Sequence, residues 1–298
     1  MTAQTDREAT ASSRTMPESQ WRPRSLAHQR RVDAWTVPHL QRRSRGEAHP
    51  VEDFLWTYYS YRPRALRSWQ PGWGVTLTGS VGDFGALRGW VVSGDRARVD
   101  PALPIARADQ VVQIRDLLVA TNDRPAMLGC FGLHEWAMVY RRPAGEVRHP
   151  VPLRLGPDGT DAVVESHRIT CSHYDAYRFF TPDAAGLNTR RPTLHTRIAN
   201  EQPGCLHAGM DVYKWAYKLW PFTSAELVAD CFELARDIRE LDMRASPYDL
   251  TAWGYPPVAI ETPSGKAEYV KAQRAFGLRA ATLRRRVIEL ADEVLQVL

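Results

Sequence analysis

Residues 205–220 read CLHAGMDVYKWAYKLW, and they hold the chain's densest group of side chains able to do chemistry. On a helix turning roughly 100° per residue, His207, Met210, Asp211, Lys214 and Lys218 fall on one stripe. Ala208, Val212, Trp215 and Leu219 form a second stripe, and Tyr213, Tyr217 and Trp220 a third. Two of three faces are therefore apolar or aromatic, which predicts a helix buried over most of its circumference. A charged group in that setting is paired or faces a pocket. His207 and Asp211 are i, i+4 neighbours, and Asp211 and Lys214 are i, i+3. The stripe is thus either a self-satisfied chain of imidazole, carboxylate and ammonium, or the wall of a cleft. In the second case Asp211 is a catalytic carboxylate oriented by His207 and Lys214. The chain has 39 Lys and Arg, and its lysines stand only at 214, 218, 266 and 271. A lysine beside Asp211 offers a compact point charge that a guanidinium does not imitate.

Other segments add donors. HPVEDF (49–54) carries His49, Glu52 and Asp53, acids that also suit the first turn of a helix. GLHEW (132–136) sets His134 beside Glu135, adjacent residues expected to point apart. In SHRITCSHYDAYRFF (166–180), His173 and Asp175 share a face if the stretch is extended. Glu201 and Gln202 fall near the start of the 205–220 helix, and Asp242 falls on the apolar side of a later one. His49, His173 and His207 make a set for a divalent metal, but no H-E-x-x-H or paired E-x-x-H spacing occurs. The sequence therefore favours a site with no metal and no cofactor, with a divalent metal as the alternative.

The net charge is +5, and segment 21–45 alone contains Arg22, Arg24, Arg30, Arg31, Arg42, Arg43 and Arg45 against the single acid Asp33. Such a stripe suits phosphate backbones, so DNA is the expected partner. No protein partner is indicated. Glu226, Asp230, Glu233, Asp237 and Glu240 line one helix face, read first as solvated and next as a dock for the basic segment. No run of about 18 apolar residues exists, so no membrane span is expected, and the N-terminus has no apolar leader core. Cys130, Cys171, Cys205 and Cys231 form no C-x-x-C pair. A cytoplasmic protein with four thiols is the expectation.

Residues 1–20 are small and polar and read as a disordered tail. Helices are predicted over 22–33, 49–61, 106–121, 205–220, 224–245 and 265–296, and short strands over 72–79 and 89–94. Residues 131–140 read as a buried helix or strand. Thr223 with Glu226 spells a capping box. Residues 151–166 read as a β-hairpin around Pro157-Asp158-Gly159. The fold class is mainly α, a single compact helical domain over 21–298 with small β-hairpin additions, with room for a sub-boundary near 145–160.

HPVEDFLWTYYS, GLHEWAMVY, CLHAGMDVYKWAYKLW and DIRELDMRASPYDL together resemble a bacterial family labelled 3-methyladenine DNA glycosylase. The likeness spans residues 21–275. The chain lacks the Gly-rich hairpin of the helix-hairpin-helix glycosylases and the pattern of the helical-repeat ones. The resemblance implies hydrolysis of the N-glycosidic bond of alkylated purines in DNA, without metal. An extruded cationic base would lie among rings. Trp136, Tyr213, Trp215, His173 and Asp175 are the expected pocket, with Asp211 stabilising the cationic sugar. A metal-dependent enzyme acting on a small molecule and a non-catalytic nucleic-acid-binding protein are the alternatives.

Overall fold

The computed structural model describes residues 14–143 and 151–298. Among them the protein is mainly α, with thirteen helices and one four-stranded sheet. Strand β1 (Arg14–Pro17) leads straight into helix α1 (Glu18–Ser44). Residues 14–20 are thus part of the fold, a correction to the expected tail; residues 1–13 lie outside the described residues. Helix α1 outruns the predicted 22–33 because it continues through Pro38, burying Trp21, His28, Val32, Thr36 and His39. Tertiary burial of that face overrides the local break.

Helix α2 (Phe54–Tyr58) covers only part of 49–61, and α3 (Pro63–Arg67) follows. Strands β2 (Val75–Thr78), β3 (Trp90–Ser93) and β4 (Arg96–Val99) complete a sheet of order β1-β2-β4-β3, with β1 parallel to β2. The β3–β4 hairpin turns through Gly94, whose φ of 60° is open to glycine at no steric cost. Helix α4 (Leu103–Ala106) precedes α5 (Ala108–Asn122), which buries Val111, Ile114, Leu117 and Leu118 as their spacing predicts. Residues 133–137 settle as a short helix, α6 (Leu133–Ala137).

The expected hairpin at 151–166 is instead helix α7 (Gly156–Glu165). Pro157 sits in its first turn with Asp158, so the Pro-Asp-Gly signal opens a helix rather than turning a strand. Thr160, Val163 and Val164 then face inward at helical spacing. Residues 144–150, where the suggested sub-boundary begins, lie outside the described residues. Short helices α8 (Tyr174–Tyr177), α9 (Pro182–Ala185) and α10 (Arg197–Asn200) carry the chain to three long ones: α11 (Leu206–Lys218), α12 (Ala225–Arg244) and α13 (Pro263–Leu295).

Helix α12 is capped by Ser224, whose hydroxyl accepts from Leu227 N at 3.2 Å. The Thr223–Glu226 box does not form, because Glu226 bonds Trp69 Nε1 at 2.8 Å and Arg24 at 2.8 Å. The acidic face of α12 is a dock rather than a solvated surface. Arg31 of α1 reaches Asp230 (2.7 Å) and Glu233 (2.6 Å), and Arg279 of α13 reaches Asp237 (2.8 Å).

Helix α11 lies in the middle. Eleven of its thirteen residues are buried, as its two apolar faces require. It packs chiefly on α12 and also on α13, which in turn lies along α5. At Gly209 the helices come close: a β-carbon there would stand 2.9 Å from Ile238 Cδ1 of α12 and 3.7 Å from Ala280 Cβ of α13.

Candidate functional site

The polar stripe of α11 meets two groups of buried donors brought from elsewhere in the chain. His134 of α6, His207 of α11 and Asp242 of α12 place one ligand atom each within 4.8 Å of one another. His173, Glu201 and Asp211 do the same beside them. All six residues are at most 6% exposed. The His207 ring joins the two sets, its centroid 4.4 Å from that of His134 and 5.4 Å from that of His173.

In the first set His134 Nε2 lies 2.8 Å from Asp242 Oδ1, yet neither atom takes part in an aligned hydrogen bond. The other oxygen, Asp242 Oδ2, accepts from Arg239 at 2.9 Å, and the same guanidinium nitrogen donates to Glu135 at 2.7 Å. His134 and Glu135 therefore serve one network: α6 is helical, and Arg239 bridges back to both. Glu135 and Asp242 share one permanent cation, so one negative charge remains for an ion or a proton. Burial would lower the His134 pKa, but Asp242 outweighs it and holds it well above the usual imidazole range. Burial and then the charge of His134 push His207 well below that range. Burial would raise Asp242, but His134 keeps it below the ordinary carboxylate value, with His207 and Arg239 adding to the effect.

In the second set the expected chain of imidazole, carboxylate and ammonium does form, with a different imidazole. Asp211 Oδ2 meets Lys214 Nζ (3.2 Å), Arg197 (3.4 Å) and His173 Nε2 (3.4 Å), and Asp211 Oδ1 accepts from Tyr59 OH (2.9 Å). Asp175 accepts from Lys214 (2.8 Å) and Arg197 (2.6 Å), and Glu201 from Arg197 Nε (2.6 Å). Burial would raise Asp211, but Lys214, His173 and Arg197 hold it below the usual carboxylate range. Two cations already contact the Asp211 oxygen nearest His173, whereas Asp242 Oδ1 faces His134 alone.

A cavity of about 20 Å³ adjoins the first set, lined among others by Cys130, His134, Cys171, Cys205, His207 and Gln273. It is large enough for a water and far too small for a purine. The rings expected around a base stand elsewhere. Trp136 is fully buried with its Nε1 donating to Ala245 O (2.9 Å), and Tyr213 is core against Tyr59 and Phe232. Trp215 alone edges an open cavity, of about 340 Å³, between α5, α10 and α11. His173 and Asp175 belong to the ionic network.

His49 is not with His173 and His207. Its Nδ1 accepts from Val51 N (3.2 Å) and Glu52 N (3.0 Å), and its ring meets Trp253 and Tyr255, so it fixes the turn before α2. Within the basic segment Arg22 pairs with Glu18 (2.7 Å), Arg24 with Glu226, Arg31 with Asp230 and Glu233, Arg42 with Asp53 (2.6 Å), and Arg45 with Glu47 (2.7 Å). Arg30 and Arg43 are exposed and have no carboxylate partner among the described residues.

Sequence reasoning left His134, Glu201 and Asp242 unselected, along with Arg197, Arg239 and Tyr59. Asp242 on the apolar side of α12 was the signal that pointed to the first set. No candidate transmembrane helix occurs among the described residues. No family model matches the chain, nor does any curated protein or solved structure, so the glycosylase likeness rests on the four quoted phrases.

Proposed function

We propose that the protein is a metal-dependent enzyme, with one divalent ion held by His134, His207 and Asp242 and a water on that ion in the small cavity beside them. The observation that carries this reading is the convergence of one ligand atom each from His134, His207 and Asp242, within 4.8 Å of one another in the buried core. Two imidazoles and one carboxylate with an open side are the ligand choice of iron(II) and zinc sites. The ion would supply a Lewis acid and lower the pKa of a water it holds. Arg239 fixes the Asp242 carboxylate through Oδ2, leaving Oδ1 free to bind. His173, next to His207 and between Glu201 and Asp211, is placed to hold or move a proton. Elemental analysis of protein loaded with iron(II) or zinc and then desalted tests this. About one equivalent retained by the wild type and lost in Asp242→Asn is expected; equal retention by both would sink the reading.

The glycosylase likeness is the second reading, favoured by one observation. The 340 Å³ cavity is edged by Trp215, Lys218 and Arg197, and Arg197 reaches Asp211. A cationic base against Trp215 would be linked to the Asp211 carboxylate through that guanidinium, with DNA phosphates on exposed arginines such as Arg30 and Arg43. Excision of 3-methyladenine from alkylated duplex DNA by chelator-treated protein would favour this reading over the first. No excision, with or without metal, removes it.

A further inference from the structure

The buried face of α13 runs past the site. Tyr269 and Gln273 line the small cavity, Gln273 Nε2 donates to Gly204 O (2.6 Å), and Ala280 packs over Gly209, on the side of α11 turned away from His207 and Asp211. The next residue on the buried face of α13 is Arg284, 0% exposed. Among the described residues its Nε, Nη1 and Nη2 all lack a hydrogen-bond partner. Arg239, the other fully buried guanidinium among the described residues, holds two carboxylates through Nη1 at 2.7 and 2.9 Å, and the half-buried Arg197 holds Asp175 and Glu201 at 2.6 Å. Burial lowers the Arg284 pKa to about 10, while Glu201 and Cys205 pull the other way, so both lie within reach of its charge. A guanidinium presents five donors in a planar fork matched to oxyanions. A guanidinium buried without an anionic partner carries a strong uncompensated cost.

We propose that Arg284 is the anchor for a small oxyanion, a carboxylate or phosphate group, bound inside the protein by its guanidinium fork. This goes beyond the metal-site reading and stands whether or not that reading holds.

The test is a set of thermal melts of wild type, Arg284→Met and Arg284→Lys in sodium chloride, acetate and phosphate at equal ionic strength, with calorimetric titration of the wild type by phosphate and by acetate. The wild-type midpoint should climb with phosphate or acetate concentration, as for a ligand bound only by the folded state. Arg284→Met should melt no lower than wild type in chloride and ignore both oxyanions, and Arg284→Lys should keep a weaker response. A response to one oxyanion alone names the group recognised. The proposal falls if Arg284→Met responds as the wild type does, or if the wild type gives no response in melts and no binding heat with either oxyanion. Metal content is measured on the same preparations. Oxyanion binding by a protein that retains no metal would uphold Arg284 and overturn the metal reading alone.

Discussion

His134 Nε2 and Asp242 Oδ1 approach to 2.8 Å from two different helices, α6 and α12, and neither atom has another partner. The contact ties residue 134 to residue 242 through the core, and it depends on Arg239 holding the far oxygen of the same carboxylate. Replacing Arg239 by Met should leave Glu135 and Asp242 buried without their cation. A loss of about 3–5 kcal/mol is expected from stranding buried charge. Chemical denaturation at pH 7 measures it, and a loss under about 1 kcal/mol would show that the network is not held by this residue.

Metal loading should depend on His207 and not on His49. His207→Ala should lower zinc or iron(II) affinity at least about tenfold, since one of three ligands is gone. His49→Ala should bind metal as the wild type does, because His49 only steadies the turn before α2. Competition against a coloured chelator reads both. Equal affinities in the two variants would count against the ligand set.

Asp211→Asn should destabilise the protein by about 1–3 kcal/mol, because Lys214 and Arg197 lose part of their compensation while buried. Metal retention by the first set should survive. A melt combined with elemental analysis separates the two properties. Loss of metal with unchanged stability would move Asp211 into the first set.

Part of this arrangement could be read from residue order. The burial of α11 follows from its two apolar faces, and the Asp211–Lys214 contact from helical spacing. The partners of His207 could not be read, because they come from α6 and α12 and from the loop before α8, and helical spacing says nothing of residues brought from elsewhere. Asp242 was visible as a carboxylate on an apolar face, but its role needs His134 across from it. The Pro-Asp-Gly signal at 157–159 was misread because the same residues open helices and turn hairpins; burial of Val163 and Val164 decides between them. Of the seven arginines of 21–45, the pairing of Arg24 and Arg31 could not be read, because their acidic partners lie about 200 residues away in α12.

Acid should unpick the α1–α2 junction. Asp53 accepts from His39 (2.9 Å), Arg42 (2.6 Å) and His49 N (2.9 Å). Burial would raise its carboxyl, but Arg42, His39 and the His49 amide hold it below the ordinary aspartate value of 3.8. A carboxyl with a depressed folded pKa stabilises the fold above its unfolded pKa and loses that contribution as pH falls through the folded one. Asp53→Asn should therefore cost about 1–3 kcal/mol at pH 7. That gap should close as the pH drops below 3.8. A gap independent of pH between 7 and 3 would show that ionisation of Asp53 is not what matters.

Gly209 has a consequence for how this centre can vary. It lies halfway between His207 and Asp211 but on the opposite side of α11, where a β-carbon would press on Ile238 Cδ1 and only touch Ala280. The residue works as a gauge block: with no side chain of its own it lets α11 lie close to α12, and so keeps the span from His207 to Asp242 short without touching any ligand. A methyl group there would first turn the end of the Ile238 side chain aside, so the common focus of the donors rests on how far that one side chain can yield.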